Sequence, residues 1–204
     1  MKTLRILVDM DEITVNLMSD WLRIYNQEWN DNLTHDKILD WDVHQFVKPE
    51  CGKKIYQILK RPGLFDYLPP MPGAVDSITE LVKAGHDVRF ATAPPSSDAA
   101  RGKIEWVLRN FGHLDFKIDH VMQLHDKAWI NADVLVDDKP DTIKKWHMLD
   151  RGFGNDPVVM AIAHPWNTNC SDIADVYAKS YKEPEKAWKT IVSAIHKLSK
   201  KGEK

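Results

Sequence analysis

The chain has 204 residues, 43% of them hydrophobic, which is enough for one sizeable core with a small accessory lobe and too little for two full domains. Its formal net charge is -2, and the only basic stripe is the tail at 197–204, read as a solvated, frayed end, so a nucleic-acid polymer is not an expected partner. Two distant cysteines, Cys51 and Cys170, argue against a disulfide framework or a zinc site, and no run approaches the roughly 18 apolar residues of a membrane span; a soluble cytoplasmic protein with no membrane partner is expected.

Residues 4–8 form an apolar, β-branched run that ends in Asp9-Met10-Asp11, the pattern of a buried strand that delivers two carboxylates at its carboxyl end. The same carboxylates interrupt any signal-peptide core. Leu17, Trp21, Ile24 and Tyr25 recur at helical spacing, and Ile55, Ile58 and Leu59 suggest a second helix stopped by Pro62-Gly63. No β run is visible between Asp11 and Asp87, so residues 18–71 are expected to be a helical cap, with residues 1–17 and 72–204 forming the α/β core. Val75, Ile78, Leu81 and Val82 mark a helix closed by Gly85, followed by a strand at 88–91. Ser96, Ser97 and Asp98 offer caps for a helix whose face is Ile104, Val107, Leu108 and Phe111. Strands are then expected at 118–122, 132–136 and 158–163, with a short edge strand at 176–178. Pro140-Asp141 and Glu183-Pro184 open helices, the last burying Trp188, Ile191, Val192, Ile195 and Leu198. Alternating strands and helices predict a doubly wound, Rossmann-like parallel sheet.

The chemistry lies at the strand ends. Two carboxylates as close as Asp9 and Asp11 either share a proton or hold a cation, and a hard divalent ion such as magnesium suits carboxylate oxygens; standing alone, the pair would equally end a strand and start a turn. Three further pieces follow in order: Phe90-Ala91-Thr92-Ala93, Lys127, and Val134-Leu135-Val136-Asp137-Asp138. This order of motifs resembles the haloacid dehalogenase-like (HAD) phosphohydrolases. The opening Asp-Met-Asp, the late run through Asp137-Asp138-Lys139-Pro140-Asp141 and the long insert between the first two motifs are similar to the 5'(3')-deoxyribonucleotidase branch, over nearly the whole chain.

The resemblance implies a magnesium-dependent phosphomonoesterase acting on a small-molecule nucleotide through an aspartyl-phosphate. Asp9 would be the nucleophile and Asp11 the general acid and base. Thr92 and Lys127 would bind and offset the phosphate, with the backbone amide of Ala93 beside Thr92. Magnesium would be held by Asp9, the main-chain carbonyl of Asp11, and Asp138, with Asp137 and Asp141 in support. The chain departs from the pattern at Glu12, where many relatives have glycine, and at Ala93-Pro94-Pro95; the extra charge of Glu12 is expected to narrow the turn or reach the metal. His164-Pro165-Trp166-Asn167 resembles a turn that supports the site in this branch.

Trp21, Phe46 and Phe65 are the insert aromatics expected to stack on a base, against the alternative that such rings form the core of a lobe poor in aliphatics. The nine histidines show no ligand spacing and are expected at the surface or as caps. Two rival readings keep the scaffold: a phosphatase of another small phosphoester such as a sugar phosphate, and a non-catalytic binding protein with Glu12 as the sign of decay. The oligomeric state stays open, a homodimer included.

Overall fold

The computed structural model describes residues 2–150 and 156–201. In chain order its main elements are β1 (Arg5–Val8), α1 (Leu17–Trp29), α2 (Ile55–Ile58), α3 (Ala74–Lys83), β2 (Asp87–Thr92), α4 (Ser97–Phe111), β3 (Val121–Gln123), β4 (Val134–Asp137), α5 (Pro140–His147), β5 (Val158–Ile162), β6 (Val176–Ala178) and α6 (Pro184–Lys201). Short 3₁₀ turns join several of them.

All six strands run parallel, in the order β3-β2-β1-β4-β5-β6. β1 is central, with Ile6 opposite both Val88 and Val134, and Val8 opposite both Phe90 and Val136. The chain winds outward from β1 to β3, then crosses back to β4. The carboxyl ends of β1 and β4 therefore flank the crevice where a doubly wound sheet binds its ligand.

Alternation along the strands decides what covers each face. Ile6, Val8, Val88, Phe90, Val134, Val136, Met160 and Ile162 pack in one cluster with α3, α4 and α6, including Ile78, Leu81, Trp106, Phe111, Trp188, Ile191 and Ile195. Leu7, Ala91, Leu135, Val159 and Ala161 face the other way, onto Ile143 and Trp146 of α5. Each fully buried aliphatic side chain in these layers contributes roughly 1.5 to 3 kcal/mol, which is why strands covered on both faces read as unbroken apolar runs. At the start of α3, Gly73 has φ +81°, and a Cβ there would lie 2.9 Å from the Glu185 Cα, so glycine lets the first turns of α3 and α6 meet.

The insert has an apolar cluster of its own: Met18, Trp21, Leu22, Tyr25, Leu33, Ile38, Val43, Val47, Cys51, Ile55 and Ile58, joined by Trp166 from the α/β core. Trp21 Nε1 donates to the Ile55 carbonyl at 3.0 Å, tying α1 to α2. Phe65, Leu68 and Met71 pack instead into the main core. No strand lies between β1 and β2 among the described residues.

Two expectations are corrected. The strand expected at 118–122 begins only at Val121, because Ile118–His120 is a 3₁₀ turn in which the Lys117 amide donates to the His120 ring at 3.2 Å. The tail expected to fray from 197 remains helical to Lys201: Ser199 is buried and its carbonyl accepts from the Lys2 amide at 3.1 Å. Residues 202–204 of that tail lie outside the described residues.

Candidate active site

The first motif is set by the end of β1 and a tight loop after it. The Asp9 amide donates to the Val136 carbonyl at 2.9 Å, extending the ladder one residue past the strand. The amides of Thr14 and Val15 then fold back onto the Met10 carbonyl, both at 2.8 Å, and the Glu12 amide reaches the Val15 carbonyl at 2.8 Å. This loop puts Glu12 in the left-handed region at φ 58°, a conformation that glycine adopts without a Cβ penalty. Its carboxylate turns to the insert, where Oε1 accepts from the Met18 amide at 2.6 Å in the first turn of α1. An acid on those unpaired amides offsets part of the backbone strain.

The other motif residues converge on the same strand ends. Lys127, in a 3₁₀ turn at Lys127–Trp129, is buried; its Nζ lies 2.5 Å from Asp9 Oδ1 and 2.6 Å from Asp137 Oδ2. Asp137 Oδ1 accepts from the Lys139 amide at 2.8 Å, so both of its oxygens are engaged. Asp138 is also buried: Oδ2 accepts from Trp166 Nε1 at 3.0 Å, and its backbone carbonyl from Asn167 Nδ2 at 2.9 Å. Its Oδ1 has no hydrogen-bond partner among the described residues. Thr92, at the end of β2, is buried, and its hydroxyl accepts from Lys103 Nζ at 2.7 Å.

Burial and crowding act together on these acids. Removal from water raises the pKa of Asp138 well above the ordinary carboxylate range, and the charges of Asp9, Asp137 and Glu12 add to it. Burial also raises Asp137 and Asp11, although Lys127 opposes the shift at the first and Lys103 at the second. For Lys127, burial works against the charge, but Asp137 and Asp9 more than restore it and the ammonium is strongly favoured. Burial pushes Glu12 up to about 8. Asp9, Asp137 and Asp138 bring carboxylate oxygens within 4.8 Å of one another. Such a set is relieved by a bound cation, and the unpartnered Asp138 Oδ1 is the oxygen most in need of one.

A cavity of about 210 Å³ opens onto these acids; Asp11, Asp138, Trp21, Phe65 and Ala93 line it, together with Trp41, Tyr56 and Trp166. The structure thus gathers Asp9, Asp11, Thr92, Lys127, Asp137 and Asp138, with Trp21, Phe65 and Ala93 at the edge. Phe46 is not among the lining residues and packs on the insert cluster, while Asp141 is exposed on the first turn of α5. Glu12 aims its carboxylate at α1 rather than joining the acid cluster.

Trp166, in the 164–167 turn expected to support the site, touches Asp138 directly. Lys103, which touches Asp11 and Thr92, was not anticipated from the sequence, and the histidines are not all peripheral. His86 is buried rather than at the surface, and His164, the N-cap residue of the Pro165–Cys170 turn, is buried as well. His35 and His164 lie almost parallel, at 10°, with their nitrogens 3.3 Å apart, and both rings stack on Trp166 and Tyr181. His164 Nε2 donates to the Glu12 carbonyl at 3.2 Å, so His164 Nδ1 accepts from His35. With Glu12, these two histidines form a group with metal-binding potential. Lys103 was detectable as a cation at helical spacing in an otherwise apolar face with Ala99, Trp106, Val107 and Phe111.

Solved structures with this architecture include a HAD family hydrolase from Deinococcus radiodurans R1 with bound phosphate and sodium, at a TM-score of 0.52 and 14% identity over 89% of this chain and 93% of that one. A putative phosphoglycolate phosphatase from Lactobacillus delbrueckii subsp. bulgaricus aligns at a TM-score of 0.54 and 13% identity, over 92% and 99%. The fold is that of the HAD-like hydrolases. Residues 2–188 match the profile of the family described as "5' nucleotidase, deoxy (Pyrimidine), cytosolic type C protein", and the chain belongs to that family. It is similar to a 5'(3')-deoxyribonucleotidase from Clostridium acetobutylicum, 31% identical over 133 residues, 65% of this chain and 72% of that protein. It is also similar to the human mitochondrial 5'(3')-deoxyribonucleotidase, 30% identical over 148 residues, 69% of this chain; the match spans 64% of the human protein.

Proposed function

We propose that the protein is a magnesium-dependent phosphomonoesterase that hydrolyses deoxyribonucleoside monophosphates to nucleoside and phosphate. The observation that carries this reading is the convergence of Asp9, Asp11, Thr92, Lys127, Asp137 and Asp138 at the carboxyl ends of β1, β2 and β4, beneath a cavity lined by aromatic rings. Family membership and relatives named as 5'(3')-deoxyribonucleotidases support the substrate class.

Asp9 is the nucleophile: one carboxylate oxygen attacks phosphorus as the ester P–O bond breaks, giving an aspartyl-phosphate. Asp11 donates its proton to the departing alkoxide, then takes one from the water that attacks the same phosphorus, releasing phosphate and restoring Asp9. Thr92, the Ala93 amide and Lys127 bind the phosphoryl oxygens. Lys127 also keeps Asp9 aimed by its 2.5 Å contact.

The donors fit a magnesium ion: hard oxygens only, buried carboxylate oxygens on Asp138 and Asp11 that lack a partner among the described residues, and more acids than cations in one buried patch. Asp9, Asp138 and the Asp11 carbonyl would hold it, with Asp137 in support. Bound there, magnesium would offset the charge that builds on the phosphoryl oxygens. The choice of Asp138 over Asp137 is supported by their hydrogen bonds, since Asp137 spends both oxygens on Lys127 and the Lys139 amide.

The insert acts as the cap over this site and selects the substrate. A lobe closed over the site excludes water from the reacting phosphate. Flat rings around the cavity favour a nucleobase over a sugar phosphate. A cytoplasmic location is supported by two buried, unbridged cysteines. No helix among the described residues is long and apolar enough to cross a membrane.

Phosphate release from a panel of deoxyribonucleotides, ribonucleotides and sugar phosphates, with magnesium and with excess chelator, tests the proposal. Turnover restricted to deoxyribonucleotides and abolished by chelation is expected. A preference for sugar phosphates or full activity in chelator would refute it.

A further inference from the structure

Lys103 is almost wholly enclosed, 1% exposed, on the face that α4 presents to the core. Its ammonium lies 2.6 Å from Asp11 Oδ2 and 2.7 Å from Thr92 Oγ1, and 4.8 Å from the centre of the Phe65 ring. The preceding glycine makes room for this packing. A Cβ on Gly102 would lie 2.9 Å from Asp66 Oδ1 and 3.0 Å from Phe65 Cβ, so glycine lets the 65–66 segment close over the lysine.

The two buried lysines divide the acids between them. Lys127 takes Asp9 and Asp137 from one side, and Lys103 takes Asp11 and Thr92 from the other. Stripping water from an ammonium is costly, and an apolar side chain of similar length would serve packing alone. A lysine at this point in an apolar stripe therefore signals a demand for the charge. The second contact is equally telling. Because Thr92 Oγ1 accepts from Lys103, its own hydrogen is left to donate elsewhere, as binding a phosphate oxygen requires.

From these contacts we infer that Lys103 is a positioning residue that fixes the Asp11 carboxylate and the Thr92 hydroxyl in the orientations the reaction uses. The inference rests on the function proposed above. Lys103 acts through Asp11 on the proton transfer to the leaving group and through Thr92 on the seat of the phosphate. Its removal leaves neither Asp11 oxygen hydrogen-bonded to the described residues, since Oδ1 has no partner among them.

The test compares wild type, Lys103→Met and Lys103→Arg, each with and without Asp11→Asn, on a deoxyribonucleotide and on nitrophenyl phosphate in saturating magnesium. Thermal unfolding checks that each variant is folded. Lys103→Met should lower kcat on the nucleotide by about 100-fold, with KM changed by no more than about threefold. On nitrophenyl phosphate, whose leaving group departs without a proton, the loss should be about tenfold or less. In the Asp11→Asn background the further loss on the nucleotide should shrink to about threefold, because the effect through Asp11 is already lost and only that through Thr92 remains. Lys103→Arg should retain part of the rate with the same split between substrates, which keeps the test decisive if Lys103→Met fails to fold. Equal losses on the two substrates, or full additivity with Asp11→Asn, would overturn the positioning role while leaving the enzyme's function standing. A folded wild type that releases phosphate from neither substrate would remove the proposed function and this inference with it.

Discussion

Trp166 Nε1 donates to Asp138 Oδ2 at 3.0 Å, and the face of the same ring carries His35 from the insert, with ring centres 4.9 Å apart. One side chain thus touches both the acid proposed to hold magnesium and the lobe proposed to close over the substrate. Trp41, also from the insert, meets Trp166 edge-on at 6.3 Å and lies under the Lys139 ammonium at 5.3 Å. The seating of the insert and the orientation of Asp138 are mechanically linked.

Trp166→Phe keeps an aromatic face for His35 but removes the donor to Asp138. A hydrogen bond to a charged group contributes about 1.5 to 3 kcal/mol, so magnesium affinity measured by calorimetry should fall by roughly tenfold or more while the thermal midpoint changes little. Unchanged magnesium binding would show that the indole does not orient Asp138.

The acidic pair should separate by function. Asp138→Ala should weaken magnesium binding more than Asp137→Ala. Asp137→Ala should instead destabilise the fold by about 3 kcal/mol, because it removes one partner of the buried Lys127 and strands the Lys139 amide. Calorimetry and urea unfolding of the two variants check this ranking, and the opposite order would reverse the assignment.

Acid should loosen the junction between insert and core. Burial lowers the pKa of His35 to about 4 and of His164 to about 3, against 6.5 for a free imidazole. Between those values the unfolded chain takes up protons that the folded chain refuses. The stability the pair contributes is therefore complete above about pH 6.5 and declines as pH falls toward 4 and then 3. Each imidazole contributes at most about 1.4 kcal/mol per pH unit. Glu12, raised to about 8, has the opposite slope, favouring the fold as pH falls from 8 toward 4.5, so the reading comes from a difference between proteins. The gap in urea midpoint between wild type and His35→Gln should narrow from pH 7.5 to pH 5; a constant gap would mean that His35 does not titrate on unfolding.

Much of the architecture is legible in the sequence because the strands are buried on both faces and leave apolar runs bounded by charge. The acids, Thr92 and Lys127 were identified because strand ends and motif order locate them together. Lys103 left a weaker trace, a lone cation in the apolar face of α4. Of the junction of insert and core, only the turn at 164–167 was marked, and its partners in the insert were not. His164 reaches Glu12 across 152 residues and His35 across 129, separations at which local spacing carries no signal. Phe46 and Phe65 were indistinguishable as aromatic letters in one insert, yet Phe65 lines the cavity and Phe46 packs, half-buried, against the insert cluster, a difference set by tertiary packing alone.

That difference predicts a contrast in kinetics. Replacing Phe65 or Trp41 by Ala should raise KM for a deoxyribonucleotide by roughly tenfold, the equivalent of about 1.4 kcal/mol of stacking, and change nitrophenyl phosphate hydrolysis much less. Phe46→Ala should affect stability more than KM. Equal losses on both substrates for the cavity rings would indicate a damaged lobe and no stacking role.

The central claim is that Asp9 becomes phosphorylated during turnover, and rapid acid quench of enzyme mixed with magnesium and a deoxyribonucleotide labelled in its phosphate tests it most directly. Label should appear transiently on the peptide that contains Asp9, and Asp9→Asn should show neither the label nor phosphate release while remaining folded. Steady phosphate release with no protein-bound label at any quench time, together with near-wild-type turnover by Asp9→Asn, would contradict the account.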